Sequence, residues 1–390
     1  MKNQIIKFIC LLVVSACFLS FVGCNETTIY KTYPSFFGSD VTLVVKGANE
    51  SEVEKAWEKV TERLDEIKLK FSADDTEENA VKSSGFNSIK NYNALKCGES
   101  VEVDFETYSI IEECRKLSEI SSGKFNPCVR NLSDLWGFTP RFYSSDYKKT
   151  EKYDRDFNSV GGLNDPQSEY VQAFSDLADF SAVQSEKVNG KYYLKKNCPS
   201  VLVDGKEYVQ QMDLSAVVKG YAADEIKQIL SNIDGDFYIS FGGSSMYLGE
   251  LSGGAWNLKV TDPSSKIRSS LGSVSVKNTF VSTAGVYERK YYSESGELRH
   301  HIIDATTGKP VNTDILSVTL IGDDCSFSDG LSTALVALGK TESLKYLKNQ
   351  SQYLYIVVSN DGQIFTNTDL CLEKDSPYTL VFCKNIENSD

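Results

Sequence analysis

Two oxygen-bearing side chains, Asp329 and Thr333, lie four residues apart in the run Ser328-Asp329-Gly330-Leu331-Ser332-Thr333. Leu331, Ala334, Leu335 and Leu338 follow with helical spacing, so the pair would share one helix face. A carboxylate beside a hydroxyl is the hard, all-oxygen donor set that Mg²⁺ takes, with phosphates and water completing the octahedron. An acid in a first helical turn, favoured by the helix dipole, accounts for Asp329 equally well. The chain has only two histidines, His300 and His301, and His301 opens the run His301-Ile302-Ile303-Asp304-Ala305-Thr306-Thr307-Gly308-Lys309-Pro310. Histidine titrates near neutrality and suits proton transfer or a phosphate contact. The plainer alternative is a structural histidine beside a Thr-Thr-Gly turn.

Lys219-Gly220 falls inside a helical pattern that starts after Asp213, with Leu214, Val217, Val218, Tyr221, Ile226 and Ile229 as its apolar stripe. Asp213 reads as its N-cap, worth about 1 kcal/mol. Glycine within a helix costs about 1 kcal/mol against alanine. Gly220 is therefore explained by a close neighbour, either a ligand or another backbone. Phe237 to Phe241 reads as a strand running into Gly242-Gly243, a corner that could offer backbone N–H groups to a phosphate or could simply be a turn. A further polar run, Ser282-Thr283-Ala284-Gly285-Val286-Tyr287-Glu288-Arg289, lies between this corner and the histidines. No P-loop, strand-linked GxGxxG, HExxH or GxSxG occurs.

The elements that would carry these residues alternate between periods. Asp40 to Lys46 reads as a strand, and Ser51 to Leu69 as a helix with Val53, Ala56, Trp57, Val60, Leu64 and Ile67 on one face. A loop is expected from Asp75 to Asn93, a helix from Phe105 to Ser121 and a surface insertion over residues 141–167. Strands are expected at Val201–Val203, Trp256–Val260, Val274–Lys277, Ile315–Ile321 and Tyr353–Val358. Antiparallel-looking strands interrupted by a few helices predict an α+β fold with mixed, largely antiparallel sheets.

The N-terminus carries Lys2 and Lys7, a largely apolar stretch from Ile5 to Val22 and small residues before Cys24. That order describes a secretory signal. Phe21-Val22-Gly23-Cys24 resembles a bacterial lipobox, with lipidation on Cys24; Val14-Ser15-Ala16-Cys17 is a rival, and a plain signal anchor is the simpler reading. The expected organisation is a signal at 1–23, a tether at 24–35 and one folded domain at 36–390, held on the extracytoplasmic face of the cell membrane. Removing Lys2 and Lys7 takes the formal charge from −13 to −15, which excludes the basic footprint that nucleic acid requires. Seven cysteines beyond Cys24, with no CxxC, make neither a clear disulfide framework nor a zinc site.

Taken in order, DLSAVVKGYAAD, the strand with FGG, WNLKVTDP, STAGVYER, HIIDATTGKP and SDGLSTALVALG resemble the ApbE family of FAD:protein FMN transferases. Upstream, FGSDVTLVVKG and GKFNPCVRNLSDLWGF resemble the family's MGT-type strand and its GxFDPTVxPLxxLWGF segment, so the likeness runs from Phe37 to Gly339. The resemblance implies an ApbE-like, T-fold-like architecture and transfer of FMN from FAD to a threonine or serine of an acceptor flavoprotein, with release of AMP. It implies Mg²⁺ held by Asp329, Thr333 and the backbone carbonyl of Ala216. Lys219, Gly220, Gly242, Gly243, Thr283, Gly285 and His301 would bind FAD. His301 would assist the acceptor hydroxyl, oriented by Asp304. Alternatives on the same site are an FAD pyrophosphatase and a noncatalytic flavin-binding lipoprotein. Departures from the family pattern are Asn126 for Asp, Cys128 for Thr, Ser240 for Asn, Ala284 for Ser, Val286 for Asp and Ala305 for Pro. After Phe71-Ser72, where a Tyr is usual, the chain reads Ala73-Asp74-Asp75.

If Cys24 carries the lipid, Cys24→Ala releases the protein from membranes or leaves it unprocessed. Normal cleavage and palmitate labelling of that variant would move the anchor to Cys17 or Cys10.

Overall fold

The computed structural model describes residues 27–73, 88–139, 165–265 and 269–383. The signal segment with Cys24, and all but residues 165–167 of the expected insertion, lie outside the described residues. A nine-stranded sheet is the frame. Its strands are β1 (Thr28–Phe36), β2 (Ser39–Lys46), β3 (Asp236–Phe241), β4 (Ser245–Leu248), β5 (Thr279–Gly285), β6 (Ile315–Gly322), β7 (Leu354–Ser359), β8 (Gln363–Thr366) and β9 (Thr379–Phe382). They lie side by side in that order, antiparallel throughout except for the parallel pair β8–β9. The chain meanders across the sheet, and its helices are inserted between neighbouring strands.

Strand periodicity decides what covers each face. Phe280, Leu320 and Val357 point to one side, where they meet α1 (Glu50–Phe71), α2 (Phe105–Ile120), α3 (Val218–Leu230) and α4 (Cys325–Leu338). Val281, Ile321, Ile356 and Val358 point to the other and pack on a three-stranded sheet through Trp256, Leu258, Val274 and Leu370. A third apolar cluster, around Leu132, Trp136, Phe174 and Tyr291, builds a side wall. The α+β reading holds.

Helix starts follow their caps. Asn49 accepts from Ser51 N–H at 2.9 Å at the head of α1, and Asp104 accepts from Thr107 N–H at 2.8 Å at the head of α2. Arg63 of α1 reaches Glu106 of α2 (2.7 Å) and Glu225 of α3 (2.9 Å), tying three helices together on the sheet.

Four expectations are corrected. Residues 28–35 are not tether but most of β1, in which Ile29, Lys31 and Tyr33 alternate half-buried with exposed neighbours. Tyr33 donates to Asp65 of α1 at 2.6 Å, and Pro34 is tolerated because β1 is an edge strand. The expected loop from Asp75 to Asn93 holds a helix at Ser88–Ala94, residues 74–87 lying outside the described residues. Asp213 does not cap α3, which begins at Val218; it accepts from Ser215 N–H at 2.8 Å and closes the turn before the helix. The helix of Asp329 begins at Cys325, with Asp324 as N-cap accepting from Phe327 N–H at 3.1 Å. Asp329 therefore lies beyond the first turn, and dipole stabilisation does not account for it.

Gly220 is explained by close helix packing. A Cβ there would lie 2.2 Å from the Cys325 carbonyl oxygen and 2.7 Å from Cβ of Asp329. Gly220→Ala must therefore wedge α3 from α4, and it should cost about 1–3 kcal/mol. Chemical denaturation checks this; a curve superimposable on the parent's would mean the crossing yields without cost.

Candidate active site

A cleft of about 400 Å³ opens where the helix layer meets the β1–β2 turn, the β3–β4 turn and the end of β5. That size falls within the usual range for small-molecule sites, about 300–1,000 Å³. Ala216, Lys219, Gly242, Thr283, Gly285, His301, Asp329 and Thr333 all line it. Residues more than a hundred positions apart in sequence are thus brought to one cavity. Gly220, Gly243 and Asp304 are not among the lining residues.

Asp329 is the most constrained of these groups, only 5% exposed. One carboxylate oxygen accepts from Gly220 N–H at 3.0 Å. The other accepts from Ser245 Oγ at 2.7 Å and Ser282 Oγ at 2.8 Å. Ser332 Oγ donates to the Asp329 carbonyl at 2.8 Å, closing the cage. An ionised carboxylate offers about four acceptor positions, so three donors leave it one lone pair directed elsewhere. Thr333 and Ala216 line the same cleft. Among the described residues no group of three or more His, Cys, Asp or Glu side chains could hold a metal ion.

His301 lines the same cleft from a half-buried position. Its Nδ1 lies 3.2 Å from the Glu288 carbonyl oxygen. A carbonyl only accepts, so Nδ1 carries the proton and Nε2 keeps its lone pair. Burial, then the nearby Arg289, His300 and Lys219, push the imidazole down to about 3. The expectation of a group titrating near neutrality is corrected for the unliganded protein: His301 is a neutral acceptor across that range. Asp304 does not orient it, because one of its oxygens accepts from Thr306 N–H at 2.9 Å and Thr306 Oγ1 at 2.6 Å, and the other is not aimed at the ring by any hydrogen bond among the described residues. It shapes the turn that ends the HIIDATTG run. His300 is buried, with Nε2 3.1 Å from the Val311 carbonyl oxygen, and burial pushes it down to about 4.

Lys219 Nζ donates to Ser244 Oγ at 2.7 Å, across the mouth of the β3–β4 turn. The Gly242 and Gly243 N–H groups are already given to the Asp40 carbonyl (3.0 Å) and Ser240 Oγ (3.2 Å). This corner therefore contributes shape rather than free donors. Thr283 Oγ1 is hydrogen-bonded to Thr319 Oγ1 at 2.8 Å, so its hydroxyl steadies the strand pair β5–β6.

Cleft residues that sequence reasoning left without a role include Lys124, Arg130 and Arg289, and Asp213, expected only as a helix cap, lines the cleft as well. Arg130 pairs with Asp213 (3.1 Å) and Asp134 (3.3 Å). Burial would raise the Asp213 carboxyl, but Arg130 and the Ser215 N–H outweigh it and hold it below the usual range. The Asp213 N–H in turn donates to the Pro127 carbonyl at 2.8 Å, so the Asn126-to-Asn131 segment clamps the turn that presents Ala216. Arg289 was visible in the STAGVYER run, yet its spacing alone gave no reason to single it out.

The ApbE family model matches residues 37–357. An FAD:protein FMN transferase of Buchnera aphidicola subsp. Schizaphis graminum is 26% identical over 302 residues, covering 77% of this chain and 81% of the relative. One from Haemophilus influenzae is 23% identical, covering 94% and 98%. The crystal structure of the ApbE protein from Thermotoga maritima aligns with a TM-score of 0.66 at 26% identity, over 87% of this chain and 96% of that one. The flavin transferase ApbE from Vibrio cholerae aligns with a TM-score of 0.64 at 20% identity, over 89% and 96%, and shares the fold. The chain belongs to the ApbE family and is, with these relatives, a transferase enzyme.

Depressed histidine pKa values carry a sign. The unfolded chain binds more protons than the folded one between the ordinary histidine value, about 6.5, and the folded values of about 4 and about 3. Stability therefore rises with pH through that window and is fully present above it. An NMR titration of the apo protein should show neither imidazole titrating from pH 5 to 8; a midpoint near 6.5 for His301 would contradict its burial.

Proposed function

We propose that this chain is a Mg²⁺-dependent FAD:protein FMN transferase that attaches FMN through a phosphoester to a threonine or serine of an acceptor protein. The observation that carries the reading is a single cleft that holds both a caged carboxylate and a neutral histidine. The Nε2 of that histidine makes no hydrogen bond among the described residues. Lys219 and Arg289 add cationic charge suited to a pyrophosphate.

The donor set fits Mg²⁺. One carboxylate with a spare lone pair, one hydroxyl and one carbonyl is too few for an all-protein cage, but it matches an ion that keeps waters and takes substrate phosphate oxygens. Asp329, Thr333 and the Ala216 carbonyl would hold it. When bound, Mg²⁺ would polarise the pyrophosphate and offset the charge gathering on the departing AMP. Asp329 enters that role already desolvated and fixed by three donors, so little reorganisation is required.

His301 Nε2 would accept the proton of the acceptor hydroxyl as its oxygen bonds to the FMN-side phosphorus. The bond from that phosphorus to the bridging oxygen breaks, and AMP leaves with the bridging oxygen and the electron pair. The Glu288 carbonyl, hydrogen-bonded to Nδ1, keeps the ring in the tautomer this step needs. The lipid on Cys24 would hold the enzyme at the extracytoplasmic face of the membrane, beside membrane-bound acceptors.

Purified protein, FAD, Mg²⁺ and a Thr-containing acceptor, followed by intact-mass spectrometry, test the reading; the acceptor should gain one FMN phosphoryl group. Release of FMN and AMP without acceptor labelling would instead identify a pyrophosphatase, and intact FAD throughout a noncatalytic binder. Asp329→Ala should abolish transfer, whereas Thr333→Val should raise the Mg²⁺ concentration required while leaving the fold intact. His301→Asn should bind FAD and slow transfer by about 10² to 10⁴-fold, with His300→Asn nearly neutral.

A further inference from the structure

Arg289 occupies a backbone position that arginine rarely adopts, with φ of 38° in the turn after β5. Its guanidinium extends back across the cleft to the β1–β2 turn. There a Cβ on Gly38 would lie 2.6 Å from Arg289 Nη2, and Gly38 itself has φ of 78°. That turn is unusual as a whole, because Ser35 and Phe37 also have positive φ, 57° and 46°. Backbone strain of this kind persists where the surrounding structure enforces it, and it gathers at functional sites.

The other cations lining the cleft are all engaged. Lys124 donates to the Ala337 carbonyl at 3.0 Å, Arg130 is paired with two aspartates, and Lys219 donates to Ser244. Arg289 alone of the four makes no hydrogen bond or ion pair among the described residues. A strained turn and a glycine are thus committed to a guanidinium that no acid among the described residues neutralises. A planar fork of donors matches two oxygens of a phosphate, and its charge is worth most where phosphoryl oxygens gain negative charge.

We propose that Arg289 is a catalytic residue whose guanidinium grips the FMN-side phosphate while the acceptor oxygen attacks it, with Gly38 as the notch that admits the fork. This rests on the flavin-transfer reading above. The FMN-side phosphate is chosen because Arg289 neighbours His301, which must stand beside the attacked phosphorus; after burial, Arg289 is the largest influence keeping that imidazole neutral. A cation so placed both holds the phosphate and keeps the base unprotonated.

Arg289→Ala should slow FMN transfer about 10² to 10³-fold. Free guanidinium should restore part of the rate, and ammonium at the same concentration should not. Gly38→Ala, which keeps the charge but displaces the fork, should be slow as well. A second readout needs no turnover: by flavin fluorescence titration, the parent should bind FMN at least about tenfold more tightly than riboflavin, and Arg289→Ala should lose that preference. Arg289→Lys, matched to the parent by melting curve, should fall between the two in both assays. Transfer by Arg289→Ala within twofold of the parent, or an unchanged FMN-to-riboflavin ratio, would overturn the assignment. If the parent labels no acceptor, the transfer reading fails, while the flavin ratio still decides whether Arg289 binds the phosphate.

Discussion

The crossing of α3 and α4 is the contact on which the site depends. Asp329 sits there out of water, and a buried carboxylate is tolerated only if its oxygens are satisfied. Its donors come from three directions: Gly220 on α3, Ser245 on β4 and Ser282 on β5. Each imposes a requirement on the sequence. Gly220 must lack a side chain for its N–H to reach, and the two serines must sit on adjacent strands in the register that pairs Ser282 with Ser245. Movement of α3 or a one-residue slip of β5 would strand a buried charge. The same cage leaves one face of the carboxylate toward the cleft. Packing and chemistry are therefore set by one group.

Much of this was legible in the sequence because the informative patterns were local. The α1 stripe, the β2 and β3 runs and the Asp329–Thr333 spacing all follow from periodicity within one element. The misreadings arose where the deciding partner lay far away. β1 looks like tether because TIYKTYPSF is polar and half its alternation is only half-buried; it becomes a strand through pairing with β2 and contact with α1. The glycine at 220 demands a close neighbour, but only tertiary structure identifies that neighbour as Cys325. The order of motifs revealed the family, yet the partner of His301 was misassigned. Asp304 is three residues away in sequence, whereas the Glu288 carbonyl comes from another strand connection thirteen residues earlier.

The departures from the family pattern also divide by environment. Val286 and Ala305 are buried, and Ser240 Oγ accepts the Gly243 N–H, so these three serve the scaffold. Cys128 is buried and apolar burial pushes its thiol upward, the behaviour of an inert core residue. Asn126 and Ala284 do line the cleft. The Asn126 side chain accepts from Cys128 N–H at 2.8 Å and its amide donates to the Ala178 carbonyl. A carboxylate could make the first contact and not the second. Asparagine thus exchanges a charge facing the cleft for a tie to the side wall.

That exchange bears on the electrostatics of the whole cavity. With asparagine at 126, the acids that line the cleft among the described residues are Asp213, which Arg130 neutralises, Glu288, which is exposed, and Asp329, which is caged. Lys124, Arg130 and Lys219 are each engaged by a hydrogen bond or ion pair, which leaves Arg289, beside the neutral His301, as the cleft cation without such a partner among the described residues. The chain as a whole is acidic, with a formal charge of −13. Long-range repulsion of an anionic dinucleotide by the acidic surface is screened beyond about 8–10 Å at physiological salt. Inside the cleft the lower dielectric strengthens every remaining interaction, so local cations rather than net charge govern what binds there.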